Sequence, residues 1–152
     1  MNLILACAIV ACFTLSGPET DLLAEVNRAR AAQGVAELAF NAEVSRLAEY
    51  RSEEMASLHF FCTRSRIYGE PDEMLVRFGV PFDAVGVNIA KGQDTAEEVL
   101  QAWLSSPRHT ENLLNAKFTS AGVGLSCDDG IPVWTLFLIG DANQEFKYNG
   151  TP

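Results

Sequence analysis

Imidazole is scarce in this chain: among 152 residues only His59 and His109 carry it, which leaves little for a multi-histidine metal centre. Cysteine is nearly as sparse. Cys7 and Cys12 sit in an apolar leader, so only Cys62 and Cys127 remain beyond it, and a multi-bridge disulfide framework is excluded. Basic residues number 11 against 20 Asp and Glu, and Arg28, Arg30, Arg46, Arg51, Arg64, Arg66, Arg77 and Arg108 are dispersed among the carboxylates. Phosphate neutralisation needs clustered cations, so a nucleic-acid partner is disfavoured. The apolar run Leu3 to Phe13 is too short to span a bilayer, and no transmembrane helix is expected. Internal repeats, low-complexity tracts and interdomain linkers are absent, which leaves one compact domain.

What is present begins with an uncharged leader. Met1 to Ser16 holds the apolar run of a secretory signal, although it lacks the usual Lys or Arg near its start. Cleavage after Ser16 would leave a single domain over residues 17–152. Ile9-Val-Ala-Cys12 also resembles a lipobox, in which Cys12 would become an acylated first residue. The expected location is therefore secreted or periplasmic, with lipid anchoring through Cys12 as the competing form. In an oxidising compartment a Cys62–Cys127 disulfide would contribute on the order of 4 kcal/mol in the chain-entropy model, with two buried free thiols as the alternative. The net charge of −9 falls entirely beyond the leader and is expected to serve solubility, with loose divalent-cation binding beside it; a monomer is expected.

Periodicity then outlines the elements. Leu22, Leu23, Val26 and Ala29 predict a helix over Asp21 to Gln33, with Thr20 as cap and Gly34 as stop. Asn41 opens a second helix whose stripe is Val44, Leu47, Ala48, Arg51 and Met55, with Glu43, Glu49, Glu53 and Glu54 on the solvated face. Pro71 to Phe78 predicts a short helix, and Ala84 to Ala90 a strand. Thr95-Ala-Glu-Glu98 is a capping box for a helix to about Ser105, and Ser106-Pro107 restarts one with His109 at its third position. Two β-rich runs, Ala121 to Cys127 and Val133 to Ile139, meet at Asp128-Asp-Gly130 as a hairpin. Helices around an antiparallel sheet make the fold class α+β.

The stretch Trp103-Leu-Ser-Ser-Pro-Arg-His109, followed by Leu113-Leu114, Asn115, Phe118-Thr119 and Gly122-Val-Gly124, resembles the signature of the CAP superfamily (cysteine-rich secretory proteins, antigen 5, pathogenesis-related 1) in its short bacterial form. Leu23, Asn27, Arg30, Gly34 and Leu38, then Met55-Ala56, Phe60-Phe61, Gly86-x-Asn88-Ile-Ala90 and Trp134-Thr135, match further blocks in order. The resemblance implies a three-layer α-β-α sandwich with a central antiparallel sheet. It also implies a cleft where two histidines and acidic residues can bind a divalent metal. Thr63 stands where the first cleft histidine falls and Val87 where the family's Glu falls, which leaves His109 as the one candidate ligand and metal binding weak or absent. His59 reads as a surface, helix-terminal residue.

At the positive end of a helix dipole His109 would stay neutral. Ser105 and Ser106 lie beside it, but Ser106 is accounted for as a cap, and Glu111, two residues along the helix, points away. Trp103 and Trp134 read as core. No catalytic residue and no cofactor is assigned. The favoured expectation is an exported, non-catalytic binding domain whose cleft, lined by Thr63, Val87, Asn88, Ser106 and His109, takes an apolar ligand: a lipid, a sterol or a protein surface. The alternatives are a metal-assisted hydrolase or peptidase using His109 with Ser106 or Thr63, and a structural envelope-interaction domain.

Overall fold

Ile131–Gly140 is apolar at nearly every position, and a strand of that kind must be covered on both faces. A computed structural model describes residues 17–142, so the expected leader with its Cys12 lipobox lies outside the described residues. In chain order the elements are α1 (Pro18–Ala32), β1 (Ala39–Phe40), α2 (Ala42–Ser57), α3 (Pro71–Arg77), β2 (Ala84–Lys91), α4 (Ala96–Leu104), α5 (Pro107–Leu114), β3 (Ser120–Asp128) and β4 (Ile131–Gly140). The sheet order is β1-β3-β4-β2, which places β4 inside. Alternation along β4 sends Trp134, Leu136 and Leu138 into one core with Leu22, Val26, Leu100, Trp103 and Leu113 from α1, α4 and α5. Val133, Phe137 and Ile139 enter a second core with Val44, Leu47, Met55, Met74 and Leu75 from α2 and α3. Two helical layers therefore sandwich one sheet, as expected.

The sheet is antiparallel between β3, β4 and β2, but the two-residue β1 pairs parallel to β3. The expected central antiparallel sheet is present, with this short parallel strand added at its edge. A parallel neighbour requires a long crossover, and here the chain makes one through every intervening element. Asn41, directly after β1, donates its backbone N–H to Ala121 O at 2.9 Å and accepts the Glu43 and Val44 amides on its side chain. One residue thus closes the edge strand and starts α2.

Local signals account for most of the remaining ends. The Thr95–Glu98 capping box forms, and the β3–β4 turn has Asp129 at φ 49° and Gly130 at φ 86°, the left-handed pair that a two-residue hairpin demands. α1 begins earlier than expected, with Gly17 as its cap and Pro18 in the first turn, so Thr20 lies inside the helix.

Gly122 and Gly124 have a packing role. A Cβ on Gly122 would lie 2.1 Å from the Ser45 nitrogen, and one on Gly124 would lie 2.2 Å from the Ala48 carbonyl carbon. The α2 backbone therefore rests directly on β3. Ser45 Oγ accepts Val123 N–H at 3.0 Å, while Ser52 Oγ donates to Gly124 O at 3.0 Å and lies 2.9 Å from Thr135 Oγ1. These bonds satisfy polar groups in the contact.

On the other layer Arg30 is fully buried. Its guanidinium donates to Ala36 O (2.8 Å), Leu113 O (2.7 Å), Asn115 O (3.1 Å) and Phe118 O (3.1 Å), tying α1 to the end of α5 and the entry to β3. Burial lowers its pKa from the usual guanidinium value.

A Gly124→Ala substitution should destabilise the domain by about 3 kcal/mol, because backbone rather than a flexible side chain must yield. Urea unfolding would register this as a lower midpoint at unchanged slope, and a midpoint equal to wild type would contradict the close approach.

Candidate functional site

His109 occupies the third position of α5, where the sequence pattern places it. Ser106 is the N-cap residue, and its carbonyl accepts Thr110 N–H at 2.9 Å, but its hydroxyl makes no capping bond, which corrects the expected side-chain cap. Pro107 starts the turn by its fixed φ and takes over part of that role. The His109 ring is half-buried and lies 6.5 Å from the Trp103 ring, tilted by 57°. Its pKa is pushed below the ordinary 6.5, first by burial and then by the neighbouring Arg108 charge. The ring is thus neutral at pH 7, with desolvation as the leading cause in place of the helix dipole.

Two amide side chains and an indole hold this wall in place. Asn88 Nδ2 donates to His109 O at 3.1 Å, Asn112 Nδ2 donates to Asn88 Oδ1 at 2.9 Å, and Trp103 Nε1 donates to Ile89 O at 2.9 Å. Asn88 is fully buried, so its amide acts as a fastener between β2 and α5. Among the described residues no carboxylate is within ion-pair reach of His109, and no hydroxyl bonds to its ring. Glu98 is committed to its capping box, while Glu97 and Glu111 are exposed.

The expected cleft residues divide between two sides. Adjacent strand residues point to opposite faces, and Val87 enters the core shared with Phe137 and Met74, on the face opposite Asn88. Thr63 lies in the segment after α2, with its carbonyl 3.4 Å from Arg51 Nη2. Asn88 and His109 are hydrogen-bonded together; Thr63 and Val87 make no bond to them. The metal implied by the family resemblance does not fit this donor set, because Val87 offers no ligand atom and Thr63 only a neutral hydroxyl.

The most organised polar feature lies on α2. Glu54, expected on the solvated face, is buried and ion-paired to the buried Arg51. Its carboxylate also accepts Ser65 Oγ (2.8 Å) and the Arg66 amide (2.7 Å), and Arg51 Nη2 donates to Cys62 O at 2.6 Å. Burial lowers the Arg51 pKa, and Glu54 pulls it back up. Part of the signal was present: Arg51 falls on the buried stripe of α2, and Glu54 lies three residues on, within reach of an i,i+3 ion pair. The segment wrapped around the pair encloses an open concavity of about 600 Å³ lined by Phe60, Phe61, Cys62, Arg64 and Arg66 among others. The Arg66 guanidinium lies 4.2 Å from the Phe60 ring centroid, and Arg64 is 3.5 Å from Glu70.

Cys62 and Cys127 are unbonded and exposed, so neither the expected disulfide nor a pair of buried thiols is present. Parity explains this. Cys127 shares the β3 face of Ala121 and Val123, which pack against the α1 layer, whereas Cys62 follows α2 on the opposite side. His59 is exposed and terminates α2 as expected, but it also makes a contact that the sequence did not announce. Its Nδ1 lies 2.6 Å from Asp128 Oδ1, while Lys91 Nζ lies 2.5 Å from Asp128 Oδ2. Lys91 first and His59 second hold the Asp128 carboxyl below its usual value.

Glu54→Gln should cost about 3 kcal/mol, since it leaves Arg51 buried without its counter-charge, and should expose residues 61–69 to protease before global unfolding. Equal proteolysis of variant and wild type would contradict the clamp. In an NMR titration the His109 ring should show a midpoint below 6.5. The unfolded chain then binds the extra proton, so stability should fall as pH drops through that range, and His109→Gln should remove that part of the slope. A midpoint at or above 6.5 would exclude the buried neutral ring.

Comparison with known proteins adds an independent line. Residues 23–138 match the model of the cysteine-rich secretory protein family, CAP. Protein YkwD of Bacillus subtilis (strain 168), itself uncharacterized, is 37% identical over 127 residues, covering 84% of this chain and 49% of YkwD. The chain thus spans about half the length of that relative. An extracellular protein of Bacillus anthracis containing an SCP domain superposes with TM-score 0.75 at 29% identity, covering 81% of this chain and 40% of that one. An outer surface protein of Borrelia burgdorferi gives TM-score 0.73 at 19% identity, covering 80% of this chain and 90% of that one, and shares the fold.

Proposed function

The chain belongs to the CAP family of cysteine-rich secretory proteins, and from that premise we propose that it is an exported, non-catalytic binding domain for an amphipathic, lipid-like ligand. The observation that carries the reading is the concavity beyond α2. Phe60 and Phe61 supply apolar wall, with Phe61 48% exposed, and Arg66, stacked on Phe60, supplies positive charge beside the Arg64–Glu70 pair. In a chain of net charge −9 an exposed guanidinium against an apolar wall suits an apolar body with an anionic end. Thr63 belongs to the same segment, half-buried between Cys62 and Arg64. In this reading Asn88, Ser106 and His109 form the structural wall on the other side of β2, and Val87 backs the sheet with an apolar surface.

Export is supported by the uncharged apolar leader and by the extracellular and outer-surface descriptions of the two structural relatives. A cleaved soluble form and a Cys12-anchored form are both compatible with that leader. Among the described residues no helix is long and apolar enough to cross a membrane.

A panel of a long-chain fatty acid, a lysophospholipid and a sterol tests the proposal. At about 100 times the dissociation constant a ligand of the folded state adds roughly 2.7 kcal/mol, which raises the melting midpoint by several degrees. The fatty acid or lysophospholipid should produce that shift, and Phe61→Ser with Arg66→Gln should abolish it. No shift with any member of the panel at millimolar concentration overturns the reading.

A further inference from the structure

Outside the lining of this concavity, where α2 ends against the β3–β4 turn, two chain segments converge on one point. α2 ends with Leu58 N–H on Glu54 O at 3.0 Å and Phe60 N–H on Met55 O at 3.1 Å, which leaves His59 at φ 50° with its ring turned toward the hairpin. The β3–β4 turn presents Asp128 as the last residue of β3 and Asp129 at the first turn position. One ligand atom from each of His59, Asp128 and Asp129 lies within 4.8 Å of the other two. Such spacing is compatible with donors around a single ion.

We propose that His59, Asp128 and Asp129 form a binding site for a late first-row divalent cation such as Zn²⁺, distinct from the cleft position of His109. The donor chemistry supports one imidazole nitrogen and two carboxylate oxygens, a set that suits Zn²⁺ better than the all-oxygen shells of Ca²⁺ or Mg²⁺. The two oxygens of Asp128 already have separate tasks. Oδ2 holds Lys91 Nζ, and Oδ1 faces His59, so a cation between Nδ1 and Oδ1 takes the place of the shared proton, a neutral ring then carrying its one proton on Nε2 and an imidazolium releasing its Nδ1 proton to water, while the lysine contact stays in place. Lys91 orients the carboxylate from behind, as a hydrogen-bonded outer partner does for a ligand. His59 and Asp129 are exposed, which provides an entry path and room for water to complete the shell.

Isothermal titration of the full chain with ZnCl₂, with MgCl₂ as control, provides the test. The expected result is one Zn²⁺ per chain, no heat with Mg²⁺, and at least a tenfold loss of Zn²⁺ affinity in both His59→Gln and Asp129→Asn. His109→Gln, Cys62→Ser and Cys127→Ser should bind as wild type does. Thermal melts without metal show whether each variant is folded; the two ligand substitutions are at exposed positions, and their midpoints should stay close to wild type while the Zn²⁺-induced rise disappears. Absence of binding at millimolar Zn²⁺ overturns the site. So does binding that survives both ligand substitutions, or that is lost with His109 or either cysteine.

Discussion

A buried guanidinium without a carboxylate partner organises one whole layer of this molecule. Among the described residues Arg30 is sealed from water and bonded to main-chain carbonyls alone, two of them at the C-terminal exit of α5, where the helix dipole and the unpaired acceptors both favour a cation. The stretch between α5 and β3 forms no regular ladder of its own, so its acceptors need donors from elsewhere. Arg30 supplies them and, in doing so, sets where α5 ends, where β3 begins and how α1 lies across both. The position of His109 follows from the placement of α5.

The opposite layer uses the same residue type in a different way. Arg51 is neutralised by Glu54, and the pair presents a ring of charge-assisted bonds to the segment that follows α2. Residues without helix or strand geometry are thereby held by two side chains of one helix. In each layer the ordered elements come first, and a buried arginine then gathers the irregular chain onto them.

Much of this architecture could be read directly from residue pattern. The Thr95–Glu98 box, Asn41 as a cap, the Asp129-Gly130 turn and the alternation of β4 are local signals, and local signals survive into the fold because nothing distant competes with them. Three of the departures share one origin, the meeting of residues that are distant in the chain. Counting around the α2 surface puts Glu54 on the solvated face, yet the segment that covers it is brought there by tertiary structure, and it is that cover that buries the carboxylate. The parity that separates Cys127 from Cys62 needs the layer on which residue 62 lies. His59 and Asp128, 69 positions apart, meet only because the end of α2 is laid beside a distant turn. For the candidate site, residue pattern put His109 on the first turn of α5, while the division of the expected cleft between two faces of β2 needed the strand's register.

The glycine pair of β3 has a mechanical corollary. A helix seated backbone to backbone on a strand has no cushion of side chains to compress, so α2 and the sheet behave as a single stiff plate. The span between α2 and α3 then takes its position from that plate, because Arg51 and Glu54, which anchor it, project from the helix that the glycines seat.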